Sequence, residues 1–138
     1  MVSNINRKNW LWKKLSRAGV KILSAMDTDR LRNFYRNMGI IICPSFFETY
    51  GNVPAESVAA GTPALISDNM GVAEIFKKHD LTHYIIDFDD VYDAVSKIDG
   101  FRNQRIDRQK RESLKRYLWD SVIDEYCQVC RGEIKINR

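Results

Sequence analysis

Residues 40–67 read Ile40-Ile41-Ile42-Cys43-Pro44-Ser45-Phe46-Phe47-Glu48-Thr49-Tyr50-Gly51-Asn52-Val53-Pro54-Ala55-Glu56-Ser57-Val58-Ala59-Ala60-Gly61-Thr62-Pro63-Ala64-Leu65-Ile66-Ser67. The continuous apolar run at 40–43 suits a strand buried on both faces, as in a parallel sheet. Residues 44–50 form a loop. Residues 53–60 read as a short Ala-rich helix, with Asn52 as its N-cap, Pro54 in its first turn and Gly61 as its stop. Residues 62–67 read as the next strand. Strand, loop, helix and strand in this order make a parallel unit with a right-handed crossover.

The same alternation extends outward. On the N-terminal side, residues 6–18 read as a basic helix with Trp10, Leu11 and Leu15 near one face, stopped by Gly19. Residues 20–23 are a short strand candidate. Asp27 or Thr28 caps the next helix, where Leu31, Phe34, Tyr35 and Met38 recur at i, i+3, i+4 and i+7. On the C-terminal side follow a turn at 68–71, a helix at 72–78, a strand at 84–86 and a helix marked by Val91, Ala94, Val95 and Ile98. A long helix at 107–129 closes the chain, with Leu114, Tyr117, Leu118, Val122 and Tyr126 near one face. The fold expected is α/β: a Rossmann-like parallel sheet with helices on both faces, its ligand outside the carboxyl ends of the strands. The loop after residue 43 belongs at that edge. The chain reads as one domain over 1–138, with a basic helix at 6–18, a core at 20–100 and a C-terminal helix at 107–130.

Composition sets limits on function. With 138 residues, 44% hydrophobic and 29% charged, the chain can bury one core and has the balance of a globular protein. No apolar run is long enough to span a bilayer. The N-terminus carries charges and two tryptophans where a signal peptide needs its apolar run, so the expected location is the cytoplasm. Three cysteines cannot all pair within one chain; Cys43 reads as core, and Cys127 with Cys130 as packing residues at helical spacing. His79 and His83, with Asp80 between them, lack the further ligands of a metal site and read as solvated loop residues.

The net charge of +4 is unevenly spread. Arg7, Lys8, Lys13, Lys14, Arg17 and Lys21 precede any acid, and seven basic residues crowd 102–116 against Asp107 and Glu112. Each stretch either attracts an anion or is a solvated helix face. Nucleic acid is not expected, because neither stretch belongs to a recognised binding module.

The chemistry concentrates at 48–56. Gly51, lacking a Cβ, stands where a ligand can approach the backbone as loop becomes helix. Free N–H groups of the first helical turn favour an anion, and a diphosphate fits there. Glu48 and Glu56 flank this site. As carboxylates they would repel a phosphate they touched, but they can accept hydrogen bonds from neutral hydroxyls on either side. A nucleotide-sugar presents sugar hydroxyls, diphosphate and ribose hydroxyls in that order. Either glutamate alone is an ordinary loop or helix carboxylate; the surrounding pattern gives the pair its weight.

That pattern resembles the C-terminal donor-binding domain of GT-B glycosyltransferases of family 4, whose motif is Glu, seven residues, Glu. Glu48 and Glu56 have the spacing, Pro44-Ser45 precedes them, and Ala59-Ala60-Gly61-Thr62-Pro63, Ile66-Ser67-Asp68 and Gly71-Val72-Ala73-Glu74-Ile75 continue the match. Met70-Gly71 stands where the family usually has Gly-Gly. The resemblance implies the C-terminal half of a GT-B enzyme, truncated at its N-terminus. The family's diphosphate-gripping Arg and Lys lie in earlier units, and so does its acceptor domain. Lys13, Lys14 and Arg17 are the basic residues open to the missing role.

The resemblance further implies donor binding by Glu48, Thr49, Tyr50, Gly51, Asn52, Val53 and Glu56. Glu48 would be the catalytic-site residue on the donor sugar and Glu56 the partner of the ribose hydroxyls. The implied chemistry is retaining hexosyl transfer from a nucleoside-diphosphate sugar, without metal or cofactor. The acceptor would be a glycan or a lipid-linked one, and turnover would require an acceptor-domain protein. Two other readings stay open. One is a non-catalytic nucleotide-sugar-binding fragment or subunit. The other is a basic module at residues 7–17 lying on the inner face of a membrane, with Trp10 and Trp12 at the interface.

Overall fold

The computed structural model describes residues 10–21, 23–115, 117, 123, 127, 128 and 130–133. Two compact units divide the chain, Met1–Leu31 and Arg32–Arg138.

In the first unit, α1 (Trp10–Arg17) carries Lys14 and Arg17 in its last turn, where cations complement the helix dipole. Gly19 follows it in the left-handed region, at φ 78°, which suits a glycine stop. Trp10 is 71% exposed; residues 6–9 of the expected helix, and the side chains of Leu11 and Trp12, lie outside those described. The strand expected at 20–23 does not form over Val20 and Lys21, which are irregular, and Leu23 makes a single bridge. Asp27 caps α2 (Thr28–Asn37), of which only the residues up to Leu31 fall in this unit, its Oδ1 accepting from the Arg30 amide at 2.9 Å.

In the second unit, β1 (Ile41–Cys43) and β2 (Ala64–Ile66) pair in parallel, with Ile41 opposite Ala64, Ile42 opposite Leu65 and Cys43 opposite Ile66. Between them runs α3 (Asn52–Ala60). Then follow α4 (Val72–Lys78), a 3₁₀ turn (Thr82–Tyr84), α5 (Val91–Phe101) and α6 (Arg108–Lys115). Strand β2 is buried throughout. In β1, however, Ile42 is 43% exposed, so this strand is not buried on both faces as its apolar run suggested.

The strand expected at 84–86 is reduced to one parallel bridge, Ile66 with Ile85. The cause is local. Tyr84 and Ile85 donate their amides to Leu81 and Thr82, at 3.0 and 2.9 Å, closing the 3₁₀ turn. Only the Ile86 amide reaches the Ile66 carbonyl, at 2.9 Å. The bridge still places a third extended segment beside β2.

The core gathers Val58 of α3, Leu65 and Ile66 of β2, Met70, Val72 and Phe76 around α4, and Leu81. Its buried polar residues Ser57 and Thr62 are satisfied, as burial requires. Ser57 donates to the Thr62 carbonyl at 3.0 Å. Thr62 donates its hydroxyl to the Tyr35 carbonyl at 2.6 Å and accepts from Arg105 at 2.9 Å. Asp107 caps α6 through the Lys110 amide at 3.0 Å. The expected continuation of that helix to 129, with Leu118, Val122 and Tyr126, falls largely outside the described residues.

Cys127 and Cys130 are exposed rather than packed. His79 is not a solvated loop residue: it ends α4, and its Nδ1 lies 3.0 Å from the Ser113 hydroxyl. His83 is exposed but stacks against Tyr84, with ring centres 4.1 Å apart.

Candidate functional site

The loop leaving β1 is stitched to the segment that leads into α4. Gly71 donates its amide to the Glu48 carbonyl at 2.9 Å, and Val72 donates to the Tyr50 carbonyl at 2.5 Å. Glu48 and Met70 thereby form a parallel bridge. A glycine at 71 is required by this approach, because a Cβ there would collide with the Thr49 carbonyl oxygen. Two residues of loop are thus fixed at backbone level, which holds Glu48 half-buried beyond the carboxyl end of β1.

Gly51 turns loop into helix with φ 101° and ψ 65°, a conformation nearly closed to other residues. One sequence expectation changes here. Gly51, not Asn52, occupies the cap position, and no side chain caps the helix; Asn52 is its first residue. Gly51 is also buried. Its missing Cβ faces protein, where a methyl would come within 2.9 Å of Val72 Cγ1 and 3.1 Å of Met70 Cε. The glycine thus answers to backbone conformation and packing.

The first turn itself stays open. Asn52 and Val53 are exposed, Val53 by 45%, and the first amides of a helix have no partner within it. Pro54, buried at the third position, carries no amide to satisfy. Thr49 is exposed and Tyr50 half-buried. The Tyr50 hydroxyl donates to the Tyr117 carbonyl at 2.5 Å, and burial pushes its pKa up. That leaves the Tyr50 backbone, not its phenol, for a ligand.

Glu56 is half-buried in the second turn of α3. Tyr35 donates its hydroxyl to Glu56 Oε2 at 3.2 Å. Tyr35 is only 4% exposed, and its pKa is raised by desolvation first and by the Glu56 charge second. Cys43 lies in the same neighbourhood: burial, then the charge of Glu48, pushes its thiol up to about 11. Cys43 in turn acts on Tyr35. Tyr35 therefore lies beside the charge of Glu56, and Cys43 within reach of that of Glu48. From the sequence Cys43 was read as core, and Tyr35 only as one position in a helical repeat. The available signal was the phenol itself, since a buried tyrosine hydroxyl needs a partner.

Among the described residues, no group of three His, Cys, Asp or Glu could hold a metal ion. What the arrangement can do is accept hydroxyl hydrogen bonds at two carboxylates and offer amides to an anion between them.

A parallel α/β unit whose first loop carries an acid and runs into an open helix N-terminus defines a ligand-binding domain of the doubly wound class. The family description "Glycosyl transferases group 1" matches residues 4–118, and the chain belongs to that family. It is similar to an uncharacterized glycosyltransferase of Methanocaldococcus jannaschii, 29% identical over 116 residues, which covers 80% of this chain and 30% of the relative. It is also similar to a D-inositol 3-phosphate glycosyltransferase of Xylanimonas cellulosilytica, 28% identical over 116 residues, covering 77% of this chain and 27% of the relative. The chain thus spans under a third of the length of these two relatives. No solved structure matches.

Proposed function

We propose that residues 48–56 hold a nucleoside-diphosphate sugar, and that the chain is the donor-binding domain of a retaining GT-B glycosyltransferase of family 4. The observation that carries this reading is the placement of Glu48 and Glu56. Both are half-buried, and they precede and follow the exposed, uncapped start of α3. Glu48 takes hydroxyls of the donor sugar, and Glu56 those of the ribose. The amides of Asn52 and Val53 receive the diphosphate.

In the transfer, the bond from the anomeric carbon to the diphosphate oxygen breaks. The acceptor hydroxyl oxygen bonds to the same face of that carbon and its proton leaves with the diphosphate. The transition state resembles an oxocarbenium ion, so the protein's contribution is positioning by Glu48 and charge absorption at the helix start. No metal or cofactor enters this scheme. The acceptor, a glycan or a lipid-linked one, is presented by an acceptor domain in the cytoplasm.

Calorimetry with UDP, GDP, ADP and their hexoses tests the reading. One nucleotide series should bind, and Glu56→Gln should weaken it. No binding by any of them ends it. Transfer assays with candidate acceptor-domain proteins then separate an enzyme from a binder without turnover.

A peripheral membrane contact is a second, compatible reading. It is favoured by the exposure of Trp10 beside the cations of α1. Co-sedimentation with anionic and neutral vesicles tests it: equal binding to both rules out an electrostatic anchor.

A further inference from the structure

The second unit holds a concavity that includes neither Glu48 nor Glu56. It has a volume of about 750 Å³ and is lined by residues following β1, following β2 and around the Ile85 bridge. That is the carboxyl edge of the three extended segments, where open parallel sheets receive ligands. The volume lies within the roughly 300–1,000 Å³ of small-molecule clefts.

The lining narrows the ligand by charge. Asp68, Asp87 and Asp89 all contribute. The cation in the lining, Lys77, is already held by Asp68 at 2.5 Å. The cavity is therefore net negative and repels phosphate, which separates it from the diphosphate reading of the α3 N-terminus. A bound metal does not fit either, because the acids do not form a group of three that could hold one. The Asp89 amide donates to Asp87 Oδ1 at 2.9 Å, while the Asp89 carboxylate makes no hydrogen bond or ion pair among the described residues. It remains an acceptor for a ligand hydroxyl.

The lining also has an aromatic part. Phe46 is 85% exposed, at the rim, and Phe88 is half-buried in the wall. Exposing a phenyl ring beside a cavity is costly unless something covers it. Uncharged, rich in O–H donors and apolar on one face: a pyranose ring has each of these properties. Its hydroxyls suit the aspartates and its C–H face suits a phenyl ring.

We propose that this cavity binds an uncharged pyranose ring, the terminal sugar of a carbohydrate acceptor. The word acceptor rests on the donor reading above; the binding of the ring does not. Phe46 lies two residues before Glu48 on the same loop, so a ring seated here is a neighbour of a sugar held by Glu48.

The test is an NMR titration of the full chain with the methyl pyranosides of glucose, galactose, mannose and N-acetylglucosamine. At least one should shift amides at 67–69 and 87–89. Asp89→Asn should weaken it about tenfold and Phe46→Ala about fivefold. Both side chains are exposed, so both variants should melt with the parent. UDP, GDP and ADP should not compete. The proposal is overturned if no pyranoside shifts those amides, if both variants bind as the parent does, or if a nucleotide displaces the sugar. Failure of the nucleotides to bind at all would remove the donor reading and leave this one standing.

Discussion

Tyr35 and Glu56, 21 positions apart, are joined by a 3.2 Å hydrogen bond from a buried phenol to a half-buried carboxylate. The Tyr35 carbonyl is itself gripped by Thr62, so the donor sits on a fixed support. This bond engages one oxygen of Glu56, and on the donor reading proposed above the other is the one that meets the ribose.

Tyr35→Phe should therefore cost stability by about 1 kcal/mol, the net worth of an ordinary hydrogen bond. It should also weaken nucleotide binding, because Glu56 loses its orientation. Urea unfolding and calorimetry read the two effects separately. A variant that loses stability but binds nucleotide like the parent would show that the bond serves the fold alone.

Glu48→Gln and Glu56→Gln should each reduce nucleotide-sugar affinity by about 1–3 kcal/mol, as for a lost charge-assisted hydrogen bond. Both should remain folded. Removing the sugar from the titrant distinguishes the two: the effect of Glu48→Gln should vanish with the nucleoside diphosphate alone, while that of Glu56→Gln should persist. Loss of that contrast would contradict the assigned ends.

Gly51→Ala should destabilise by about 1–3 kcal/mol from its left-handed backbone, with a further cost from the contact at Val72. Gly71→Ala reaches a similar result by a different route. Its backbone is helical, at φ −56°, so the whole cost comes from collision with the Thr49 carbonyl. Denaturant midpoints measure both.

Cys43 sets a pH dependence. Its thiol is raised from 9.0 to about 11 in the folded chain. A raised acid pKa means that the neutral form is favoured by folding. This contribution is complete below pH 9 and is lost as pH rises toward about 11. Stability should fall across that window, and Cys43→Ser should flatten the fall. At pH 8, iodoacetamide should label the exposed Cys127 and Cys130 well before Cys43, as peptide mass mapping would reveal.

Much of this architecture was legible in the residues. The helix at 72–78 matches α4 because Gly71 and His79 bracket a short apolar pattern, and α3 differs from its expected range by one residue. The strand at 84–86 was not legible: its apolar run fits a strand, but the 3₁₀ turn at Thr82–Tyr84 uses its first amides. Gly51 was placed at the turn from loop to helix, but no single chain position reveals that Val72 and Met70 fill the space of a missing Cβ. Tyr35 was assigned to the helix face from its spacing, which says nothing of where a hydroxyl ends. The cavity beside Phe46 depends on three segments meeting and leaves no trace in any one of them.

The two amides of Gly71 and Val72 that clasp the carbonyls of Glu48 and Tyr50 have a mechanical outcome. The loop and the head of α4 are tied together at two backbone points. On the donor reading proposed above, flexing on sugar capture falls upstream, at Phe46 and Phe47, the stretch between that clasp and the Ser45 carbonyl anchored by Ser67. Those two phenylalanines are then the joint of the loop, Phe46 also lining the cavity, and stiffening them should slow release rather than alter which sugar is held.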